Sequence, residues 1–178
     1  MTTERKNLVL VGMMGAGKTT VGRLLAQRLK RDFYDSDEEI ERRCGVRIPV
    51  IFDIEGEAGF RAREAHAIAE LCALAGAVIA TGGGAVLAEE NRRSIAARAT
   101  VVYLHARPGH LWHRVRHDRN RPLLATPDPQ KKLEELYAER DPLYREVADL
   151  VLDTGKQSVQ TLAKDLLARL DAECKLSA

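Results

Sequence analysis

Leu8-Val9-Leu10-Val11-Gly12-Met13-Met14-Gly15-Ala16-Gly17-Lys18-Thr19 decides the fold of this chain. The first four residues form a short apolar run, the pattern of a buried strand. Gly12 to Thr19 match G-x-x-x-x-G-K-[ST], the phosphate-binding P-loop. Beyond it Val21, Leu24, Leu25 and Leu29 recur at helical spacing. Strand, glycine loop and helix are the context the motif requires.

The residue types explain the chemistry. Gly12, Gly15 and Gly17 permit a tight bend and leave no Cβ between the backbone amides and a ligand. Those amides and the positive end of the following helix make an anion cradle. Lys18 puts a point charge on the β- and γ-phosphates, and Thr19 offers a hydroxyl to a bridging Mg²⁺. The expected nucleotide-binding residues of this stretch are Gly12, Gly15, Ala16, Gly17, Lys18, Thr19 and Thr20. Nucleotide binding is thus expected, with Mg²⁺ the implied metal.

Length and composition narrow the rest. At 178 residues one domain is expected, with enough chain for a core. The net charge is only +2, so no global field points to nucleic acid or membrane. No apolar run is long enough to span a bilayer. The polar start Met1-Thr2-Thr3-Glu4-Arg5-Lys6-Asn7 lacks the apolar core of a signal peptide. Cys44, Cys72 and Cys174 are odd in number and form no C-x-x-C pair. Reduced thiols in a cytoplasm are expected.

Strands and helices alternate along the chain. Strands are expected at 32–35, 77–81, 100–104 and 150–153 besides the first. Helices are expected at 37–44, with Ser36 as N-cap and Gly45 as terminator, at 48–52, and at 57–74. Further helices are expected at 89–98, 111–117, 130–147 and 159–170, with Pro142 breaking or kinking the one it lies in. This alternation implies an α/β fold, a parallel sheet covered by helices on both faces. Ligands in such folds bind at the carboxyl ends of the strands. That rule gathers the P-loop, Asp35-Ser36-Asp37, Gly82-Gly83-Gly84 and the segment after Asp153 on one rim.

Several constellations on that rim carry chemistry. Asp35 and Asp37 follow the second strand. One could serve the metal, the other could orient an acceptor hydroxyl and take its proton. Three glycines at 82–84 suit close approach of a ligand to bare backbone with its N–H groups offered. The stretch 118–129 is long for an internal connection and is preceded by Arg114 and Arg116. It contains Arg119 and Arg121, as a phosphate-neutralising lid would. His110, His113 and His117 could share a helix face. No cysteine stands near them and no further ligand is obvious beyond Asp118, so surface histidines are the reading. Trp112 is expected to pack against the core.

The ordered set resembles the shikimate kinase family, small P-loop kinases of the nucleoside monophosphate kinase structural group. The resemblance runs from Asn7 to about Leu170. It rests on Gly-Met-Met-Gly-Ala-Gly-Lys-Thr-Thr-Val-Gly at 12–22, Phe-Tyr-Asp-Ser-Asp at 33–37 and Gly-Glu-Ala-Gly-Phe-Arg at 56–61. Gly-Gly-Gly-Ala at 82–85, Arg-Pro-Leu-Leu at 121–124 and Pro-Leu-Tyr-Arg at 142–145 complete it. It implies a five-stranded parallel sheet in the order 2-3-1-4-5, a mobile lid at about 116–129 and a substrate-binding helical region at about 37–61. The implied reaction converts ATP and shikimate to ADP and shikimate 3-phosphate, a step towards chorismate. Carried over by motif, Asp37 is the candidate base and binds substrate hydroxyls. Asp35 serves the metal with Thr19, and Arg61 and Arg145 clamp the substrate carboxylate. Gly82, Gly83 and Gly84 line the same pocket, Arg121 reaches the phosphates and Arg114 packs near adenine. A monomer is the family expectation.

Three rivals are weaker. A gluconate kinase of the same structural group would require neither the arginines nor the triple glycine. A regulator without catalysis would not retain Lys18, Asp37 and Arg121. A nucleic-acid-binding role lacks interleaved aromatics and overall basic charge.

Overall fold

β1 (Asn7–Val11) is buried along its whole length. The reason is its place in the middle of a sheet, between β3 (Val78–Ala80) and β4 (Ala99–His105), both parallel to it. β2 (Phe33–Asp35) and β5 (Leu150–Asp153) form the edges, so the order is β2-β3-β1-β4-β5, all parallel. The computed structural model describes residues 6–176. The first five residues and the Cys174 side chain lie outside the described residues.

Apolar runs without polar alternation demand cover on both faces. Helices provide it. α1 (Lys18–Leu29) packs against α7 (Val159–Leu176), while α3 (Ile48–Cys72) packs on α4 (Glu89–Arg98) and α4 on α6 (Pro129–Val147). Trp112, on α5 (Pro108–Val115), lies half-buried against the core. A second, small apolar cluster of Ile40, Ile51, Phe60 and Ala67 joins α2 (Ser36–Cys44) to α3. It carries the helices that border the cavity described below.

The structure refines several boundaries. The helices expected at 48–52 and 57–74 form one element broken at Gly56, whose backbone (φ 69°, ψ −176°) is far from helical. Such a positive φ suits a residue without a Cβ. α2 stops at Gly45 in the left-handed conformation, as expected. α6 is not broken by Pro142. Proline removes one hydrogen bond there, but Leu133, Leu136, Tyr144 and Val147 bury the helix's inner face and hold it together. α5 ends at Val115, so His117 does not share a helix with His110 and His113. The stretch 118–129 is not wholly irregular, since Pro122–Leu124 makes a 3₁₀ turn that buries Leu124.

Candidate active site

The P-loop wraps the start of α1. Gly17 sits at the N-cap with φ 93°, a left-handed position that favours glycine. At Gly12 (φ 145°) a Cβ would fall 2.6 Å from the Leu104 carbonyl oxygen of β4, so the loop fits against the sheet only as glycine. Gly15 accepts through its carbonyl from Arg114, and Ala16 is buried, its N–H donating to the Met13 carbonyl at 3.2 Å. Thr20 is exposed on the first turn of α1. Lys18 is buried and curls over the loop, its Nζ donating to the carbonyls of Gly12 (2.7 Å) and Met13 (2.8 Å). Burial lowers its pKa to about 8, against the pull of Asp37 and Asp35.

Asp35 ends β2 and does two things. Its Oδ1 accepts from the N–H groups of Asp37 (3.0 Å) and Glu38 (3.4 Å), so Asp35 is the N-cap of α2. Its Oδ2 accepts from Thr19 Oγ1 at 2.6 Å. This corrects the expected capping by Ser36. Ser36 is the first helical residue, buried, and its hydroxyl accepts from the Gly82 N–H at 2.9 Å. The start of α2 and the segment after β3 are thereby tied together.

Asp37, in the first turn of α2, faces a cavity of about 330 Å³. The P-loop side of the cavity contributes Met14 and Thr19. An apolar wall comes from Ile48, Pro49, Phe52 and Phe60, the two phenylalanine rings 4.9 Å apart. Arg61, Glu64 and Arg140 also line it, the Arg61 guanidinium lying over the Phe60 ring, and the partly exposed Arg121 borders the mouth. Asp37 Oδ1 is buried without a hydrogen-bond partner, as are Glu64 Oε1 and Arg140 Nε. Buried polar atoms in that state are costly and point to something that should bind there. Burial, then Asp35 and Glu64, raise the Asp37 pKa to about 7, while Lys18 and Arg121 oppose them. Glu64 is also raised by burial, although Arg61 donates to it at 2.8 Å.

All three glycines line the cavity, as expected, but the Gly82 N–H is not left for a ligand. The Gly82 N–H is taken by Ser36 and the Gly83 carbonyl by the Tyr144 hydroxyl. What their missing Cβ atoms provide is room for side chains. A Cβ on Gly82 would lie 2.7 Å from both Asp37 Oδ1 and Glu64 Oε1, and one on Gly84 would collide with the Arg61 guanidinium.

Arg145 is not in the cavity. Its Nε donates to Asp141 at 2.9 Å, its guanidinium lies over the Tyr103 ring, and its side chain is 49% exposed. The arginine that α6 sends into the cavity is Arg140, which is 1% exposed. Helical spacing carries the signal for it. Leu133, Leu136, Arg140, Tyr144 and Val147 form the buried stripe of α6, and Arg145 falls outside it. Glu64, equally unforeseen, lies among the buried residues of α3 between Phe60 and Ala67. A charge on an inward-facing stripe is rarely structural filler. Arg114 bridges the P-loop to the segment after β5, donating to Gly15 (3.0 Å) and to the Thr154 carbonyl (2.8 Å).

A metal fits one place on this rim. Thr19 and Asp35 present a hydroxyl and a carboxylate in direct contact beside the P-loop, both lining the cavity, and hard oxygen donors suit Mg²⁺.

Comparison with other proteins agrees with this geometry. The family model described as shikimate kinase matches residues 14–171. A shikimate kinase of Cupriavidus pinatubonensis is 63% identical over 171 residues, covering 96% of this chain and 89% of its own. One from Thiobacillus denitrificans is 59% identical, covering 95% and 92%. Among solved structures, shikimate kinase from Acinetobacter baumannii in complex with shikimate superposes with TM-score 0.93 at 47% identity, covering 95% of this chain and 94% of that one. A gluconokinase from Sinorhizobium meliloti, 17% identical with TM-score 0.57, shares the fold alone. With its P-loop, its paired carboxylates and its arginine-lined cavity in the places described, this chain belongs to the shikimate kinase family.

Proposed function

We propose that the chain transfers the γ-phosphoryl group of ATP to the 3-hydroxyl of shikimate, giving ADP and shikimate 3-phosphate on the route to chorismate and the aromatic amino acids. The observation that carries this reading is Asp37. It is a buried carboxylate with a free oxygen in a cavity lined by Arg61 and Arg140, within reach of the charge of the P-loop lysine.

Arg61 and Arg140 hold the substrate carboxylate, for which planar guanidinium groups are suited. This replaces Arg145 in that role. The apolar wall of Phe52 and Phe60 faces the carbon ring. Asp37 accepts a hydrogen bond from the acceptor hydroxyl and takes its proton as the oxygen attacks the γ-phosphorus. The bond from that phosphorus to the bridging oxygen breaks, and ADP leaves with the electron pair. Lys18 and Arg121 meet the charge on the phosphoryl oxygens. The P-loop residues Gly12, Gly15, Ala16, Gly17, Lys18, Thr19 and Thr20 bind ATP, and Arg114 borders its base. Bound at Thr19 and Asp35, Mg²⁺ would neutralise β- and γ-phosphate charge. Segment 116–129 serves as a lid that excludes water, and 37–61 forms the acceptor side.

The enzyme acts as a cytoplasmic monomer on these two small molecules, without nucleic acid or membrane. The low net charge supports the absence of nucleic acid and membrane, and the free thiols of Cys44 and Cys72 support the cytoplasm. No helix among the described residues is long and apolar enough to cross a membrane. A coupled assay of ADP release with Mg·ATP, run with shikimate and with gluconate as control, tests the assignment. Release that requires shikimate is expected. Release with gluconate and not with shikimate, or no release with either acceptor despite tight ATP binding, would overturn it.

A further inference from the structure

Asp118 is the hub of a small charge cluster at the cavity mouth that the reaction as described does not use. Its Oδ2 accepts from Arg121 Nε at 2.9 Å, and its Oδ1 accepts from the Asn120 N–H at 2.9 Å. Arg121 is therefore gripped by the nitrogen nearest its aliphatic stem. No other hydrogen bond engages its two terminal nitrogens among the described residues, and these are the pair that can fork onto phosphate oxygens. Its charge reaches inward far enough to act on both Lys18 and Asp37.

Arg47 lines the same cavity as Asp118, without an ion pair to it among the described residues. It stands at the N-terminal end of α3, the helix that carries Phe52, Phe60 and Arg61. Its only ion pair among the described residues is a loose one, 4.0 Å to Glu41. That Glu41 oxygen already caps the Ile48 N–H at 3.0 Å. The Asn120 amide, Arg121 and Arg47 together hold the Asp118 carboxyl below its ordinary range. A carboxylate has about four acceptor positions, so Asp118 keeps room for a second guanidinium beside that of Arg121.

We propose that Asp118 is a positioning residue, which holds Arg121 with its terminal nitrogens towards the ATP phosphates, and that Arg47 pins Asp118 from the acceptor side of the cavity. The triad Arg47–Asp118–Arg121 then ties the helix that shapes the acceptor pocket to the residue that meets the phosphoryl group. The inference rests on the kinase reading above, because it needs phosphates at Arg121.

The test is a pair of double-mutant cycles read by steady-state kinetics, with melting temperatures checking that each variant folds. Asp118→Ala should lower kcat about tenfold with the KM for shikimate unchanged, yet change kcat less than about twofold when Arg121 is already alanine. Arg47→Ala should lower kcat about threefold, and that loss should vanish in an Asp118→Ala background. Asp118→Asn, which keeps the acceptor oxygens, should recover part of kcat and stands in if the alanine variant does not fold. Losses that multiply across Asp118 and Arg121 would overturn the positioning role. Losses that multiply across Arg47 and Asp118 would remove Arg47 from it. A wild-type protein that does not phosphorylate shikimate would overturn the kinase reading and this proposal together. An active wild type with multiplying losses would overturn the proposal alone.

Discussion

Arg140 and Arg145 lie on opposite sides of one helix. The first is 1% exposed within the cavity, and the second reaches outward to Asp141. Five residues at 3.6 per turn separate them by about 140°. Only Arg140 can meet a ligand beside Arg61. Truncating a buried charged partner costs about 2–5 kcal/mol, so Arg140→Ala should raise the KM for shikimate by about 100-fold with little change in the KM for ATP. Arg145→Ala should change either constant less than about threefold, since it breaks only an exposed pair with Asp141. Steady-state kinetics on both variants checks this, and comparable losses would remove Arg140 from the clamp.

Asp37 ties activity to pH. Its carboxyl must be ionised to take a proton, and its pKa is raised to about 7. Hence kcat/KM should rise with pH through about 7. Asp37→Asn should bind ATP normally, lose most turnover and lose that limb of the profile. The stability consequence has the opposite sense. Between the ordinary carboxylate range and about pH 7 the folded state keeps a proton that the unfolded chain has lost, so this group destabilises the fold as pH rises through that window. At pH 8 the asparagine variant should therefore melt higher than wild type, and near pH 4 the difference should disappear. Melting curves at the two pH values decide it, and a variant less stable at pH 8 would contradict the burial argument.

Gly84 is open space for Arg61. An alanine there would press its Cβ into the guanidinium, which is the far end of a flexible side chain. Gly84 itself has φ −91°, so no backbone strain is added. The fold should survive while the clamp is displaced. Gly84→Ala should keep a wild-type melting temperature within about 1 kcal/mol of stability and raise the KM for shikimate at least about tenfold. A normal KM would mean that Arg61 is not held where it is needed.

The fold was legible because its signals are local. The P-loop and the valine-rich strands β1 and β4 are written in consecutive residues, and all five strands fall where the apolar runs stand. The site was half legible for the same reason. Asp35, Asp37 and Thr19 follow strand ends or the loop, and they meet in space. The Arg61 partner was misplaced because the Pro-Leu-Tyr-Arg motif draws the eye to Arg145, whereas the buried stripe of α6 points to Arg140. Ser36 was misassigned because serine and aspartate cap helices equally well. The choice was made by Gly82, 46 residues away, whose N–H claims the Ser36 hydroxyl. Contacts of that range leave no mark in a single sequence.

Asp35 offers a way to separate structure from metal chemistry. One of its oxygens caps α2 and the other meets Thr19. Asparagine caps helices about as well as aspartate, while alanine forfeits about 1 kcal/mol. Asp35→Asn should therefore keep its melting temperature yet need about tenfold more Mg²⁺ for half-maximal activity, because a neutral amide is a poorer ligand for a hard cation. Asp35→Ala should lose both. Each change also removes a negative charge that helps raise the Asp37 pKa. The rising limb of kcat/KM should then move to lower pH in both variants. A Mg²⁺ titration and a pH profile on the asparagine variant check the two halves separately. An unchanged Mg²⁺ requirement would strip Asp35 of its metal role and leave it as the cap of α2.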